Sequence, residues 1–319
     1  MTDYRTTLHS PIRRLDTRKD LSQVADLIEI CFGEHLDPDG HLYLHQIRQA
    51  ASNHRLVRWS YAASELVSYP LNGFVWEEEG RILGNLSMIP FYWKREWIYL
   101  IANVAVHPEV RRQGIASQLT RRALEHLGRT AISAIWLHVR EENLAARHLY
   151  ESFNFHERCT RDTWVSRDPF PHPETLPEKL RVTADGQHSW SAQLGWLNRT
   201  YPPEVAWHLS FDPGRLQPGL WGALRRHLTG QIVKHWAVYH NQRLIGSAIW
   251  EPSFLYADPL WIAASPGEEE DAILALLPYI KQRHSPSRLL YINYPAYQQR
   301  DAFEQAGFDL VNTLIWMQL

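Results

Sequence analysis

The spacing of apolar residues between positions 97 and 139 predicts a strand, a helix and a second strand. Residues 97–106 form an apolar run that ends before Pro108, which cannot donate to a sheet ladder. Apolar residues then recur at helical spacing from Ile115 to Leu127, and a further apolar run occupies 134–139. This order predicts two parallel strands joined by a crossover helix.

The segments on either side of this unit predict further strands. Apolar residues at 74–76 and 81–91 flank the charged turn Glu77–Gly80, a pattern typical of a β-hairpin. Ile12–Leu15 predicts a short strand near the beginning of the chain, and 156–165 predicts one after the crossover unit. We therefore expect a mixed, largely antiparallel sheet with one parallel pair.

Two helices are expected near the beginning of the chain. Asp20 and Gln23 have the spacing of a capping box, which predicts a helix start. The buried stripe of that helix is predicted at Val24, Leu27, Ile28 and Cys31. A second helix is expected over residues 41–61, with Leu44, Ile47 and Leu56 facing inward.

The turn from Arg111 to Ser117 combines features that favour an anion. A helix N-terminus has unpaired N–H groups and partial positive charge, and Gly114 and Ala116 let a ligand approach the backbone closely. Arg111 and Arg112 add full positive charge. The turn is thus a candidate phosphate or pyrophosphate site, although the same residues taken alone also fit an ordinary helix start.

Two linked motifs extend this interpretation. Val104-Ala105-Val106-His107-Pro108 precedes Arg-x-x-Gly-x-Ala, and Asn143 opens the run that reaches Tyr150 and Phe155. Together they resemble the GNAT N-acetyltransferase superfamily, most closely its ribosomal-protein alanine and other N-terminal-amine acetyltransferases. The specific match covers about residues 100–156. The resemblance implies an α/β fold whose parallel βαβ core binds a cofactor.

That resemblance implies acetyl-CoA as the cofactor. Backbone groups of the strand would pair with the pantetheine arm, the turn would bind the pyrophosphate chiefly through N–H groups, and Asn143 would hydrogen-bond the arm. The implied cofactor-binding residues are Val104, Ala105, Val106, Arg111, Arg112, Gln113, Gly114, Ile115, Ala116, Ser117 and Asn143. No metal site is expected.

The resemblance also implies an acid and a base. Tyr150 would protonate the departing thiolate, since a phenol that titrates near ~10 is protonated at neutral pH; a core tyrosine with a satisfied hydroxyl is the alternative. His138 stands where N-terminal-amine acetyltransferases have a glutamate, and it fits a base acting through water or a structural histidine equally well. Glu78 or Glu79 could also serve, whereas strand alternation places His107 outside the cleft.

The implied reaction is transfer of an acetyl group from acetyl-CoA to a primary amine by direct attack in a ternary complex. We expect a small-molecule acceptor, with a peptide N-terminus and a non-catalytic acyl-CoA sensor as alternatives. In the resembled fold, residues 33–72 overhang the acceptor. The side chains there that could line an acceptor site, or a solvated face, are His35, Asp37, His41, Tyr43 and His45.

The second half of the chain repeats the first. Arg81–Pro90 aligns with Arg243–Pro252, Tyr150–Phe155 aligns with Phe303–Phe308, and both pairs keep the same order. This predicts two tandem GNAT domains, as in tandem GNAT proteins such as mycothiol synthase. We expect a first domain over 1–168, a proline-rich linker over 169–177 and a second domain over 178–319.

The second copy differs where the chemistry is expected. Gly267-Glu268-Glu269-Glu270-Asp271 replaces Arg-x-x-Gly-x-Ala, and carboxylates there would repel a pyrophosphate. Phe303 stands in place of Tyr150 and has no proton to donate. The second domain is therefore expected to bind no cofactor.

Composition narrows the class of protein. The formal net charge of −2 over 319 residues gives no reason to expect nucleic acid or an anionic membrane as a partner. No apolar run has membrane-spanning length, and the first residues lack the apolar core of a signal peptide. Two cysteines, Cys31 and Cys159, favour buried free thiols in a reducing cytoplasm. We expect a monomer (a pseudo-dimer of two GNAT domains) or a homodimer.

Overall fold

The computed structural model describes residues 10–33, 36, 38–52, 72–167, 179–184, 189–219, 222, 232–253, 256–284 and 288–319. The chain divides into two compact units. Unit 1 comprises residues 1–139, 143–156 and 317–319, and unit 2 comprises 140–142 and 157–316. Among the described residues, no helix has both the length and the apolar character needed to cross a membrane.

Unit 1 contains a mixed sheet flanked by helices. Its elements in chain order are β1 (Ile12–Arg14), α1 (Leu21–Phe32), α2 (Pro38–Ser52), β2 (Gly73–Glu78), β3 (Arg81–Trp93), β4 (Glu96–Val106), α3 (Ile115–Leu127), β5 (Ala134–Arg140) and α4 (Leu144–Glu151). The strand order is β1-β2-β3-β4-β5. All neighbours are antiparallel except β4 and β5, which are parallel and connected through α3. The predicted fold class is confirmed.

Helices cover both faces of the unit 1 sheet. On one face, α1 and α2 form a buried cluster with Val75, Ile82 and Ala105. On the other, α3 packs so closely that a Cβ on Gly84 would lie 2.9 Å from Ile115 Cγ2. Gly84 therefore fixes how near the N-terminal turn of α3 comes to β3, because any side chain there would push the helix away.

Unit 2 repeats this order of elements. It contains β6 (His156–Ser166), β7 (Leu180–Thr183), α5 (Trp190–Thr200), α6 (Pro203–Leu209), α7 (Pro213–Leu216), β8 (Lys234–His240), β9 (Arg243–Trp250), β10 (Ala257–Ala264), α8 (Glu269–His284), β11 (Leu289–Pro295), α9 (Arg300–Gln305) and β12 (Phe308–Gln318). The strand order is β12-β6-β11-β10-β9-β8-β7, and β10 and β11 are the parallel pair. A glycine again admits the helix, since a Cβ on Gly246 would lie 2.6 Å from Ala272 Cβ.

The two compact units do not follow the two halves of the sequence. All of β6 but His156 belongs to unit 2, where β6 pairs antiparallel with β11 through Val165 and Tyr291. The end of β12 belongs to unit 1, where the Leu319 N–H donates to Ile135 O at 3.0 Å. Part of each sequence half thus belongs to the unit built mainly from the other half. The expected linker at 169–177 lies outside the described residues.

Two local expectations are wrong in detail. Asp20 precedes α1, but its carboxylate accepts from the Asp16 N–H at 2.6 Å and from Arg13 rather than capping the helix. Gln23 Oε1 accepts from the Ile82 N–H at 3.0 Å, so Gln23 ties α1 to the β2–β3 hairpin. The capping box fails because both side chains find partners outside the helix.

The second helix and the cysteines also differ from expectation. Helix α2 begins at Pro38, earlier than predicted, and residues 53–71, which include Leu56, lie outside the described residues. Leu44 and Ile47 are buried as predicted. Cys31 and Cys159 are free thiols, and both are partly rather than fully buried.

Candidate functional site

Strands β4 and β5 separate in mid-sheet. They pair from Ile98 with Ala134 to Ile101 with Leu137, and no described pair follows. Residues 102–106 of β4 and 138–139 of β5 therefore border a gap within unit 1, which we call the fork. A separated pair of parallel strands leaves backbone N–H and C=O groups without ladder partners, and an extended ligand can bind to them.

A bulge lies in β4 at the mouth of the fork. Asn103 has a left-handed backbone, with φ of 51°, and the register with β3 shifts at this point. Beyond the bulge, the His107 N–H donates to Leu83 O at 2.8 Å. Because backbone groups alternate in direction along an antiparallel strand, Ala105 also faces β3, whereas Val104 and Val106 face the fork. The backbone of Ala105, a predicted cofactor-binding residue, is thus directed at β3.

One backbone group at the fork is bonded within the chain. Val106 O accepts from Arg111 Nε at 3.2 Å and from Cys31 Sγ at 3.3 Å. Burial raises the pKa of the Cys31 thiol, so it is protonated at neutral pH. The Val106 N–H and both backbone groups of Val104 remain directed at the fork.

The turn before α3 exposes backbone N–H groups. Arg112 and Gly114 both have a left-handed backbone, with φ of 67° and 77°, whereas Gln113 between them does not. Alternating handedness turns successive N–H groups towards one side and creates a concave anion site. Gly114 precedes α3 without a side-chain cap, so the first N–H groups of the helix, from Ile115 to Ser117, have no partner within it. Arg111, Arg112 and Gln113 are exposed.

Asn143 and Tyr150 lie at the two ends of α4. The Asn143 side chain accepts from the Ala146 N–H at 3.1 Å and caps the helix, which leaves its amide N–H₂ to donate elsewhere. Tyr150 is buried, with its ring edge-on to Phe155 at 6.0 Å between centroids. Burial raises the pKa of Tyr150, so the hydroxyl is protonated at neutral pH. Among the described residues, no group hydrogen-bonds that hydroxyl.

His138 lies on β5 directly after Leu137, the last residue paired with β4, and it is half-buried. The structure therefore places it at the base of the fork. The alternative bases lie elsewhere: Glu78 accepts from Trp76 Nε1 at 2.8 Å, and Glu79 is exposed in the β2–β3 turn. Strands β3 and β4 lie between β2 and β5, and neighbouring strands are about 4.8 Å apart. Both glutamates, at the end of β2, are therefore far from His138, which argues against either of them as the base.

Of the expected acceptor-side residues that the structure describes, Tyr43 contacts the edge of the fork. Tyr43 accepts a hydrogen bond from Asn103 Nδ2 at 2.7 Å. His41 and His45 are exposed, while His35 and Asp37 lie outside the described residues. Sequence reasoning missed Asn103; an asparagine inside an apolar strand is the signal that could have found it. His107, left out of the site, caps the short 3₁₀ turn at 108–110 through its ring.

The same fork exists in unit 2 but is filled. Strands β10 and β11 pair only as far as Pro259 and Tyr291. Ala264 lies opposite Gly246 as Val106 lies opposite Gly84, so Ile262 and Ala264 are the counterparts of Val104 and Val106. The Ile262 N–H donates to the Tyr201 hydroxyl at 3.1 Å, and Ala264 O accepts from Arg199 at 3.3 Å. The end of α5 thus bonds the Ile262 N–H as well as the carbonyl of Ala264, whereas in unit 1 it is the carbonyl of Val106 that Arg111 and Cys31 bond.

Buried hydrogen bonds hold the end of α5 at the fork of unit 2. Arg161 of β6 donates to Thr200 O at 2.8 Å and to Asn293 Oδ1 of β11 at 2.7 Å. At the start of α8, the Gly267 N–H donates to the Glu269 carboxylate at 2.7 Å, so the chain supplies its own anion there. Phe303, fully buried, stands in place of Tyr150, and the strand registers put Asn293, which accepts from Arg161, at the position of His138.

Comparison with known proteins finds a family match within the first half of the chain. A family model described as the acetyltransferase (GNAT) family matches residues 27–155. The [ribosomal protein bS18]-alanine N-acetyltransferase of Escherichia coli K12 is 39% identical over 59 residues, 18% of this chain and 40% of that protein. The protein of the same name from Haemophilus ducreyi is 32% identical over 82 residues, 26% of this chain and 53% of that protein. The chain thus matches about half or less of the length of these curated relatives.

A solved structure is similar over the whole chain. The GCN5-related N-acetyltransferase from Sphaerobacter thermophilus aligns with 98% of this chain and 96% of its own, at 13% identity and a TM-score of 0.55. At this identity the likeness concerns the fold alone. Residues 27–155 thus match the acetyltransferase (GNAT) family, and the chain as a whole is similar in fold to a solved GCN5-related N-acetyltransferase.

Proposed function

We propose that the chain is an N-acetyltransferase that moves an acetyl group from acetyl-CoA to the primary amine of a small molecule, by direct attack in a ternary complex. One observation carries the proposal: the backbone groups of Val104 and the Val106 N–H, directed at the fork, lead to the exposed turn at Gly114. An extended arm that ends in a pyrophosphate fits this arrangement.

The residues present suit acetyl-CoA. The turn from Arg111 to Ser117 offers N–H groups and two guanidinium groups to the pyrophosphate, and a Cβ on Gly114 would meet nothing closer than Gln118 Nε2 at 3.9 Å, so the approach is open. The Val104 and Val106 edge and the Asn143 amide N–H₂ would hold the arm. When bound, acetyl-CoA supplies a thioester carbonyl that an uncharged amine can attack.

The roles of the chain's own groups follow from this placement. His138, through a water molecule, takes the proton that the amine loses as the new C–N bond forms and the C–S bond breaks. Tyr150 gives its phenolic proton to the departing thiolate and regains one from solvent. Most of the rate comes from holding the two reactants together, because orientation alone can supply several kcal/mol.

The acceptor distinguishes two versions of the proposal. His138 in place of the glutamate of N-terminal-amine acetyltransferases favours a small-molecule amine. The local identity of 39% to a ribosomal-protein alanine acetyltransferase favours a peptide N-terminus as the second candidate. A panel containing small amines and alanine-initiated peptides, assayed for free CoA thiol, would separate them.

For unit 2 we propose a structural role without cofactor. Tyr201, Arg199 and Glu269 already occupy the groups that acetyl-CoA would need there. The backbone groups at the fork of unit 2 thus hydrogen-bond other residues of the unit and are not available to a ligand.

Calorimetric titration with acetyl-CoA and then with free CoA tests the whole proposal. We expect one site per chain with micromolar affinity, followed by turnover with at least one amine of the panel. Absence of CoA binding would refute it. Binding without turnover across the panel would instead support the acyl-CoA sensor.

A further inference from the structure

Three arginines surround His126 near the end of α3. Arg14 of β1 places its Nη2 3.1 Å from both ring nitrogens of His126. Arg122 lies one helical turn before His126, and the Arg129 N–H donates to His126 O at 3.3 Å just after the helix. We call Arg14, Arg122, Arg129 and His126 the arginine cluster.

A buried phenylalanine forms the floor of the arginine cluster. Phe74 of β2 is 2% exposed and lies opposite Arg14 in the register of β1 and β2. Its ring centroid lies 5.4 Å from the Arg122 guanidinium and 5.9 Å from the His126 ring, which is edge-on to it. A guanidinium group over a ring face still directs N–H groups outward from its rim. The cluster is therefore a defined arrangement built on β1, β2 and α3.

The cluster carries more positive charge than its neighbours neutralise. Arg13, on the other face of β1, is paired with two carboxylates. In the described part of the chain, Arg14 and Arg129 have no carboxylate within ion-pair distance, and Arg122 has Glu125 at 3.5 Å, half exposed. Three guanidinium groups thus face one solvated carboxylate. Because like charges repel, an anion among them would be stabilised.

The charge of the cluster acts on His126. Burial lowers the pKa of His126, and the positive charges of Arg14, Arg122 and Arg129 lower it further, so the ring is neutral at neutral pH. A neutral ring accepts at one nitrogen and donates at the other. An anion beside it would offset the repulsion from the arginines and favour the protonated ring, which donates at both nitrogens. The ring can therefore adapt to a bound anion.

The cluster lies at the opposite end of α3 from the candidate pyrophosphate turn. At a rise of about 1.5 Å per residue, His126 is about 18 Å along the helix from Gly114. A helix C-terminus carries about half a negative charge, which opposes an anion. Here Leu127 O already accepts from the Thr130 N–H at 2.9 Å and from its hydroxyl at 2.7 Å. Three full positive charges therefore outweigh the partial charge of the helix end.

We propose that the arginine cluster is a binding site for the phosphate group of a small molecule, separate from the acetyl-CoA site. A phosphate group carries a charge of about −1.5 to −2 at neutral pH and three oxygens that accept hydrogen bonds strongly. Guanidinium groups bond such oxygens in pairs, and three of them meet at one imidazole here. A carboxylate has one charge and two oxygens, so it would use less of the cluster. The proposal does not depend on the proposed acetyl transfer.

Calorimetric titration of the full chain with inorganic phosphate, at constant ionic strength, tests the proposal. We expect one saturable site of millimolar affinity that remains when CoA is present in excess. Arg14→Gln and Arg129→Gln should each weaken binding at least about tenfold, the effect of losing a charge-assisted hydrogen bond. Acetate should bind at least about tenfold more weakly than phosphate. Arg95→Gln, which removes the same charge from the exposed β3–β4 turn, is the matched control and should bind phosphate as the unaltered chain does.

Sulfate tests the role of the histidine, because its charge does not change near neutral pH. A group that gains a proton when the anion binds makes binding tighter as the pH falls. Sulfate should therefore bind more tightly at about pH 6 than at about pH 8, and this difference should disappear in His126→Gln. A pH effect that persists in His126→Gln would overturn the role of His126.

The phosphate titrations also decide whether the site exists. Absence of saturable binding would overturn the proposal, as would binding that Arg14→Gln and Arg129→Gln leave unchanged. Complete displacement of phosphate by CoA would place the anion at the Gly114 turn instead. An equal heat from chloride would show general screening of surface charge, which is also contrary to the proposal. Both arginines are exposed, so thermal unfolding should show that the variants remain folded.

Discussion

Replacing Gly114 by glutamate should abolish CoA binding while the chain still folds. Gly114 has φ of 77° and ψ of 10°, and a Cβ there would meet nothing closer than 3.9 Å. The steric effect on the free chain is therefore small. The remaining penalty is backbone strain of about 1–2 kcal/mol for a side chain in the left-handed region.

The effect on binding should be much larger than the effect on folding. A carboxylate about 5 Å from one phosphate charge repels it by about 3 kcal/mol at an effective dielectric constant of about 20. That repulsion alone corresponds to at least a hundredfold loss of affinity, at about 1.4 kcal/mol for each factor of ten. The side chain also covers the N–H groups at the start of α3, so we expect no measurable binding of CoA.

Two control variants separate charge from strain. Gly114→Ala carries the strain without the charge and should bind CoA within about tenfold of the unaltered chain. Gly267→Glu places the same side chain at the equivalent turn of unit 2, where φ is 82° and a Cβ would also have open space. Because the unit 2 fork is filled, this variant should leave CoA binding unchanged.

Calorimetric titration and thermal unfolding of all three variants provide the test. Unaltered affinity for CoA in Gly114→Glu would refute the assignment of the turn as the pyrophosphate site. Equal loss of binding in Gly267→Glu would show that the effect is not specific to unit 1.

Three further substitutions test other parts of the structure. Tyr150→Phe should lower kcat about a hundredfold or more while CoA affinity stays within about twofold, and unaltered turnover would show that Tyr150 is not the acid. Because burial raises the pKa of Tyr150, loss of its proton should not lower activity between neutral pH and about pH 10. Glu269→Ala should leave the calorimetric stoichiometry at one CoA per chain, since Tyr201 and Arg199 still bond the unit 2 edge, and a second site would contradict that account. Gly84→Ala should lower the stability of unit 1 by about 1–3 kcal/mol, measured by thermal unfolding, because the new Cβ overlaps α3; an unchanged midpoint would mean that the helix shifts freely.

Local patterns were sufficient for the elements around the site. The β4–α3–β5 order follows from apolar spacing, from a proline at the end of a strand and from small residues at a helix start, all of which act within a few residues. The repeat was visible for the same reason, since Arg81–Pro90 and Arg243–Pro252 carry the same alternation. The acidic turn after Pro266 also indicated in advance that the second helix start would not favour an anionic ligand.

Long-range partners decided what local patterns could not. Gln23 has the spacing of a cap, but the Ile82 N–H, 59 residues away along the chain, takes its oxygen. In the sequence, Asn103 is only a polar residue that interrupts an apolar strand. The structure shows that its side chain bonds Tyr43 and that its carbonyl accepts from Asn85. In each case the competing partner is distant in sequence, and only folding brings it within hydrogen-bonding distance.

The sequence by itself determined the strand–turn–helix order of the first half and the acidic turn that replaces Arg-x-x-Gly-x-Ala in the second half. The tertiary structure decided which backbone groups are available. It directs Val104 and Val106 at an open fork in unit 1, and it bonds Ile262 and Ala264 to the end of α5 in unit 2. It also placed most of β6 in unit 2 and the end of β12 in unit 1. The physical reason is that the unpaired N–H and C=O groups of a strand edge can be bonded by many different segments, which only folding brings near. A turn, in contrast, depends on the conformations of its own residues.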